Sequence, residues 1–284
     1  MSKNLDGLQS LSGQYRGILC DVWGVLHNGV AAYENAVSAL QLFRANGGYV
    51  VLLTNSPQRN TKVMLQLDSL GIARNTYDAI VTSGDVTREL ISAASSSIYH
   101  IGPERDLHLF DGLSFSLTSA DEAESVVCTG LFDDENEHPD DYKKQLENFA
   151  SRGLPFICAN PDIVVERGDK LIWCAGALAR MYQQIGGEIR LAGKPYDPIY
   201  KLAAKTMSEI LADDVDKSQL LAIGDGMPTD VAGAIQFGSD LIFVTQGIHS
   251  NEYSENGVVN ETQLKAFLLR ESVDPTYWIP QLIW

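Results

Sequence analysis

The sequence lacks any apolar segment long enough to cross a membrane. Its uninterrupted apolar runs are short, as in Tyr49 to Leu53, whereas a transmembrane helix needs about 20 apolar residues. Residues 1–10 contain neither an apolar stretch nor an arginine-rich amphipathic pattern, so they do not predict a secretory or organellar leader. We therefore expect a soluble, cytoplasmic protein.

Basic residues are also scarce. The 284 residues include 21 lysines and arginines against 37 aspartates and glutamates, which gives a formal net charge of -16. A surface of this sign repels the phosphate backbone of nucleic acids and the headgroups of anionic lipids. We therefore expect neither nucleic acid nor membrane among the partners.

Cysteine and histidine are too few and too scattered to predict a zinc site or a disulfide framework. The four cysteines include no C-x-x-C pair, and the five histidines show no metal-ligand spacing. Most of the cysteines lie inside apolar segments, as Cys20 does in GILCDVW and Cys158 in PFICAN. They are typical of small buried side chains.

The sequence does contain a regular alternation of apolar, strand-like runs with helix-like stretches. Strands are predicted at 17–26, 49–55, 78–83, 220–226 and 240–247, and helices at 33–46, 61–70 and 230–236. This alternation predicts an α/β fold with a Rossmann-like, mainly parallel sheet.

A middle region with its own strands and a polar helix over 139–152 interrupts the alternation. We predict a core formed by 1–82 and 183–284, and an inserted α/β cap domain over 83–182. The last segment, 276–284, carries Trp278 and Trp284 and is too apolar for a free tail. It predicts a final strand on the core; the alternative is a surface for self-association into a homo-oligomer.

Two of the predicted strands end in a carboxylate. Asp21 and Asp225 each follow an apolar run, and Asp230 comes five residues after Asp225. Ligands bind at the carboxyl ends of parallel strands, and clustered carboxylates with water and phosphate suit Mg²⁺. The alternative is that these aspartates only cap the turns and helices that follow them.

Two further segments contain groups that bind phosphate. Thr54 and Asn55 end another predicted strand and offer hydroxyl, amide and backbone donors. Lys194, in Gly193-Lys194-Pro195, offers a compact cation that neutralises phosphate or holds a carboxylate nucleophile in place.

Taken in order, these segments resemble the motifs of the haloacid dehalogenase-like (HAD) hydrolase superfamily. The matching segments are LCDVWGV with Asp21, LLTNS with Thr54 and Asn55, AGKP with Lys194, and GDGMPTD with Asp225 and Asp230. The insertion between the second and third motifs, the NPD at 160–162 and the GKPYDPIY segment resemble the class IIA branch, which includes NagD and p-nitrophenylphosphatases.

The resemblance implies a phosphatase that acts on a small phosphorylated metabolite through an aspartyl-phosphate intermediate. Asp21 is the implied nucleophile, and Mg²⁺ is the implied cofactor. The metal ligands it implies are Asp21, Asp225, the backbone carbonyl of Trp23 and, directly or through water, Asp230. Thr54, Asn55 and Lys194 are expected to hold the phosphate oxygens.

The sequence departs from the superfamily at Trp23. Phosphatases of this superfamily usually carry an aspartate two residues after the nucleophile, which acts as general acid and base. The indole of Trp23 cannot donate or accept a proton usefully near neutral pH. The expected activity is therefore weak on alkyl phosphates and less affected on aryl or acyl phosphates. His27 is the nearest titratable substitute, and the alternative is a loop histidine without a role in catalysis.

Two other functions remain open at this point. An aromatic residue at position 23 also resembles the haloacid dehalogenases proper, although Asp225 and Asp230 would repel a carboxylate substrate. A protein that binds a phosphorylated ligand without turnover is the alternative that a partial site also allows. In the cap, Asn160 and Asp162 are candidates for contacts with substrate, and the alternative is an ordinary Asn-Pro-Asp turn.

Overall fold

The structure is a computed structural model that describes residues 2–93, 96–167 and 170–284. Its strands are β1 (Lys3–Asn4), β2 (Gly17–Cys20), β3 (Tyr49–Thr54), β4 (Ala79–Thr82), β5 (Ser97–Ile101), β6 (Ser116–Leu117), β7 (Ser125–Cys128), β8 (Phe156–Cys158), β9 (Val164–Arg167), β10 (Lys170–Trp173), β11 (Ile189–Leu191), β12 (Leu220–Gly224), β13 (Asp240–Val244), β14 (Ser254–Glu255), β15 (Val258–Val259) and β16 (Tyr277–Ile279). Its α-helices are α1 (Glu34–Ala45), α2 (Asn60–Ser69), α3 (Ser83–Ser92), α4 (Lys143–Ser151), α5 (Ala175–Gln184), α6 (Asp197–Leu211), α7 (Ala232–Phe237) and α8 (Glu261–Arg270).

The chain divides into two compact units. The first unit comprises Met1–Thr54, Met64–Val81 and Tyr200–Trp284, and the second comprises Asn55–Val63 and Thr82–Ile199.

The first unit contains a seven-stranded sheet in the order β1-β16-β13-β12-β2-β3-β4. β2 lies parallel to both β12 and β3, with Cys20 opposite Ile223 and Leu52. All residues of β2 and β12 are buried, as expected for central strands of a parallel sheet that is covered on both faces. The predicted α/β fold with a Rossmann-like parallel core is confirmed.

Helix α1 shows how the apolar spacing fixes the helices of this unit. Its buried residues Ala36, Ala39, Leu40 and Phe43 recur at the spacing that places side chains on one helical face. The helix ends before Gly47, whose φ of 87° is readily adopted only by glycine. The predicted helix over 33–46 is therefore confirmed to within one residue at each end.

The C-terminal segment completes this sheet. β16 pairs in parallel with β13 on one side and with β1 on the other. Trp278 is buried within a cluster formed by residues of β12, β13 and α8. The prediction that the segment packs on its own chain as a final strand is confirmed.

The second unit contains a five-stranded sheet in the order β11-β8-β7-β5-β6 and the antiparallel strand pair β9-β10. Successive residues along these strands belong alternately to two hydrophobic cores. Ile98, Val127 and Ile157 pack with α3. Val126 and Phe156 pack with α4 and α5. The middle of the chain is thus an α/β unit with its own parallel sheet. β11 lies beyond residue 182, and the cap boundaries stay a prediction.

The four cysteines are buried and form no disulfide in the described part of the chain. Burial raises the pKa of the Cys158 thiol to about 12, so this thiol is unreactive at neutral pH. This agrees with the prediction of small buried side chains. No helix in the described ranges is both long and apolar enough to span a bilayer.

His100 in β5 should make the stability of the protein depend on pH. Its Nε2 lies 2.9 Å from Thr129 Oγ1 and its ring packs on Phe110, and burial lowers its pKa to about 4. The unfolded chain takes up a proton near pH 6.5 but the folded chain does not, so stability falls as the pH falls between these values. When the pH falls from 7.5 to 5.5, the free energy of unfolding should decrease by about 1 kcal/mol because of His100.

Urea unfolding at these two pH values measures the loss. His100→Gln should lose less stability than the wild type on acidification. His138→Gln, at a histidine whose side chain is 54% exposed, leaves His100 in place and should retain the full loss. Equal losses in the wild type and His100→Gln would rule out this role for His100.

Candidate functional site

Two aspartates lie at the carboxyl ends of adjacent central strands. Asp21 directly follows β2 and its backbone N–H donates to the carbonyl of Ile223 in β12 at 2.8 Å. Asp225 directly follows β12. Because β2 and β12 are parallel neighbours, both carboxylates emerge at the same edge of the sheet, where ligands of α/β proteins bind.

A third carboxylate joins them. One oxygen from each of Asp21, Asp225 and Asp230 lies within 4.8 Å of the others. The three residues are only 6%, 6% and 5% exposed. Three negative charges held this closely in a buried place repel one another unless a cation or protons compensate them. An all-oxygen donor set of carboxylates fits a hard divalent cation such as Mg²⁺.

The carboxylate of Asp225 is held between two glycines that the sequence reasoning did not single out. A Cβ on Gly24 would lie 2.4 Å from Asp225 Oδ2, and a Cβ on Gly247 would lie 2.1 Å from it. Gly24 also has a φ of 83°, which disfavours other residues. The N–H of Ile248 donates to Asp225 Oδ2 at 2.9 Å. A glycine three residues after the end of a buried strand, as in DLIFVTQG, is the signal that could have indicated Gly247.

Asp230 is placed by an unusual turn. The sequence predicted a helix over 230–236, but residues Met227–Val231 form one π-helical turn and α7 begins only at Ala232. The Asp230 carboxylate Oδ2 accepts the N–H of Gly226 at 3.1 Å. This bond turns Asp230 back toward the start of the loop, because a wide turn brings the side chain over residues four or five positions earlier.

Trp23 and His27 contact each other in the loop after Asp21. Their rings meet edge to face with centroids 5.0 Å apart, and a Cβ on Gly29 would lie 2.6 Å from Cζ2 of Trp23. The Nδ1 of His27 accepts the Gly29 N–H at 2.9 Å. Burial lowers the pKa of His27 to about 4, so its imidazole is neutral at pH 7 and its remaining ring proton is on Nε2.

In the second unit, Asn55 and Lys194 are joined directly. Asn55 Oδ1 accepts the backbone N–H of Lys194 at 2.7 Å, and Asn55 Nδ2 donates to the Lys194 carbonyl at 3.2 Å. The same amide donates to Asp162 Oδ1 at 2.9 Å. Lys194 is 2% exposed. Asn55 therefore fixes the backbone that carries the lysine, a role that the sequence reasoning did not assign to it.

Three neighbouring residues complete this arrangement. Ser83 donates to the carbonyl of Ala192 at 2.7 Å, and a Cβ on Gly193 would lie 2.5 Å from Asn55 Oδ1. Asn160 Oδ1 accepts the N–H of Asp162 at 3.1 Å, which is the local turn that the alternative interpretation of this segment predicted. No local pattern in the sequence indicates Ser83, because its contact spans over a hundred residues.

Thr54, the last residue of β3, is 5% exposed and belongs to the first unit. Asp21, Asp225 and Asp230 belong to the same unit, whereas Lys194 belongs to the second. The structure thus brings together the three predicted metal-binding carboxylates in one unit. It brings Asn55, Asp162 and Lys194 together in the other.

Two family models match the chain. A model described as haloacid dehalogenase-like hydrolase matches residues 18–116, and a second one described as HAD-hydrolase-like matches residues 191–268. The first match contains Asp21, Thr54 and Asn55, and the second contains Lys194, Asp225 and Asp230. These are the six motif residues on which the resemblance was based.

Known proteins match over nearly the whole chain. A haloacid dehalogenase-like hydrolase of known structure from Brucella suis 1330 is 47% identical, covers 100% of both chains and has a TM-score of 0.88. The 5'-nucleotidase YutF of Bacillus subtilis (strain 168) is 26% identical over 94% of this chain and 99% of its own. NagD from E. coli K-12, 21% identical, shares the fold over 94% of this chain and 97% of its own, with a TM-score of 0.70. The chain belongs to the haloacid dehalogenase-like hydrolases.

Proposed function

We propose that this protein is a Mg²⁺-dependent phosphatase that acts on a small phosphorylated metabolite through an aspartyl-phosphate on Asp21. The observation that carries the proposal is the buried cluster of Asp21, Asp225 and Asp230 at the carboxyl ends of the central strands. Membership of a hydrolase family and the similarity to a protein named 5'-nucleotidase support the same reaction class.

The residues that would hold the cation are the three aspartates and the backbone carbonyl of Trp23. When bound, Mg²⁺ supplies positive charge that offsets the negative charge of the carboxylates and of the phosphate. An alkyl-ester mechanism on a haloacid would instead bring a carboxylate substrate next to three buried carboxylates. The cluster therefore favours phosphate chemistry over dehalogenation.

In the first step, a carboxylate oxygen of Asp21 forms a bond to phosphorus as the bond from phosphorus to the leaving-group oxygen breaks. In the second, water attacks the acyl phosphate, which releases inorganic phosphate and restores the Asp21 carboxylate. Lys194 neutralises charge on the phosphoryl oxygens and Thr54 donates a hydrogen bond to them. Asn55 remains proposed as a phosphate ligand through its backbone N–H, because its side-chain amide already donates to Asp162 and to the Lys194 carbonyl.

Trp23 affects the protonation of the leaving group. Its ring is fixed against His27 and Gly29, and an indole cannot donate a proton to a departing alkoxide. With its pKa at about 4, His27 carries no imidazolium proton at pH 7, and its Nδ1 lone pair already accepts the Gly29 N–H, so this arrangement supports neither the acid role nor the base role for it. We therefore propose that the preferred substrates are acyl or aryl phosphates, whose leaving groups need little protonation.

A panel of aryl, acyl and alkyl phosphates, assayed for phosphate release with Mg²⁺ and with EDTA, tests the proposal. The wild type should require Mg²⁺, and its rate should fall steeply as the pKa of the leaving group rises. Trp23→Asp should flatten this dependence and raise the alkyl phosphate rate by about 10- to 100-fold, since general acid help is worth about 10² to 10⁴. Trp23→Phe is the matched control and should keep the steep dependence.

Two outcomes would count against this reading. Tight binding of phosphate esters without release of phosphate from any of them would favour a phospho-ligand-binding protein. Equal wild-type rates on alkyl and aryl phosphates would show that another group protonates the leaving oxygen.

A further inference from the structure

The segment Gly247–His249 contacts the loop that carries Asp225 and Asp230. Its contacts lie both before and after Gly226. Before Gly226, Ile248 donates to the Asp225 carboxylate at 2.9 Å. After Gly226, the N–H of Met227 donates to Nε2 of His249 at 3.1 Å. One short segment after β13 therefore holds both the first carboxylate of the loop and the start of the turn that carries Asp230.

The bond to His249 satisfies a group that the turn itself leaves without a partner. The first N–H groups of any helical turn have no intrahelical acceptor, and Met227 is the first residue of the π-helical turn Met227–Val231. Asp230 lies in this turn and reaches back to the Gly226 N–H. Any displacement of Met227 thus changes the separation of Asp225 and Asp230.

The ring of His249 is itself held in place. It packs against Phe267 of α8, with ring centroids 5.7 Å apart. The guanidinium of Arg270 lies 5.0 Å from the centroid of the same phenyl ring and forms ion pairs with Glu252 and Glu271. The acceptor for Met227 is therefore fixed by packing.

We propose that His249 is a positioning residue that sets the spacing of Asp225 and Asp230 for a divalent cation. A restraint is needed because three carboxylates within 4.8 Å of one another repel. Without it, this repulsion would move Asp225 and Asp230 apart. The inference rests on the metal site of the proposed function. His249 lies outside the four motifs and is not among the residues proposed to hold the cation or the phosphate.

Direct binding of Mn²⁺, followed by electron paramagnetic resonance on protein treated with EDTA and then desalted, tests the inference without reference to activity. His249→Phe keeps an aromatic ring against Phe267 but removes the acceptor, and should weaken Mn²⁺ binding by about 10-fold or more. His249→Gln places an amide oxygen near the position of Nε2 and should restore most of the affinity.

Phe267→Leu loosens the packing that fixes the ring but leaves the acceptor in place, so it should weaken Mn²⁺ binding by less than His249→Phe does. Equal affinity of the wild type and His249→Phe would overturn the inference, as would equal weakening in His249→Phe and His249→Gln. Failure of the wild type itself to bind Mn²⁺ would instead overturn the proposed metal site.

Discussion

Asp21→Asn should abolish phosphate release, with kcat lowered by roughly 10⁴-fold or more, as expected when a nucleophile is removed. The amide has nearly the shape of the carboxylate but does not attack phosphorus. The backbone bond from Asp21 to Ile223 is unaffected by the change, and one of three mutually repelling charges is lost. The folded state in EDTA should therefore be at least as stable as that of the wild type.

Rapid-quench assays with an aryl phosphate labelled at phosphorus measure phosphate release and show whether the protein itself becomes phosphorylated. The wild type should carry label on the protein during turnover, and Asp21→Asn should carry none. Thermal unfolding in EDTA provides the check on folding. Phosphate release that survives the substitution would show that Asp21 is not the nucleophile and would remove the proposed mechanism.

Gly247→Ala should cost most of the affinity for divalent cations, roughly 100-fold, which is the upper range for groups that orient metal ligands. Its new methyl group would lie 2.1 Å from Asp225 Oδ2 and 2.3 Å from Asp225 Cβ. Neither atom can yield without moving the carboxylate away from Asp21 and Asp230. The measurement is Mn²⁺ binding by the protein freed of metal, together with the Mg²⁺ concentration that gives half-maximal activity.

Gly130→Ala is the control for this substitution. Gly130 is also buried, but a Cβ there would meet its nearest neighbour, Pro103 Cδ, at 3.8 Å, an ordinary van der Waals distance. Gly130→Ala should bind cations like the wild type. If Gly247→Ala bound divalent cations with wild-type affinity, the observed position of Asp225 would not be required for cation binding.

The central strands and the carboxylate cluster were accessible from the sequence because local signals encode them. β2, β3 and β12 are continuous apolar runs, and a parallel sheet brings their carboxyl ends to one edge whatever the intervening chain does. Asp21 and Asp225 could therefore be placed together without knowledge of any loop. The family motifs added Lys194, which no periodicity would have singled out.

The groups that hold these residues were not accessible in the same way. The bond from Met227 to His249 joins residues 22 positions apart, and that from Asn55 to Lys194 joins residues 139 positions apart. Such contacts depend on how loops close in space, and a single histidine or asparagine carries no pattern. The π-helical turn before α7 was missed for a different reason: it differs from an α-helix only in backbone bonds such as that from the Val231 N–H to the Gly226 carbonyl at 3.0 Å, which side-chain periodicity does not show.

The position of β16 between β13 and β1 has a consequence for biosynthesis. Residues 277–279 are synthesised after every other strand of their sheet, so until then β13 has an open hydrogen-bonding edge and β1 has no strand to pair with in this sheet. An open edge invites pairing with other nascent chains. The sheet can therefore close only after β16 has been synthesised.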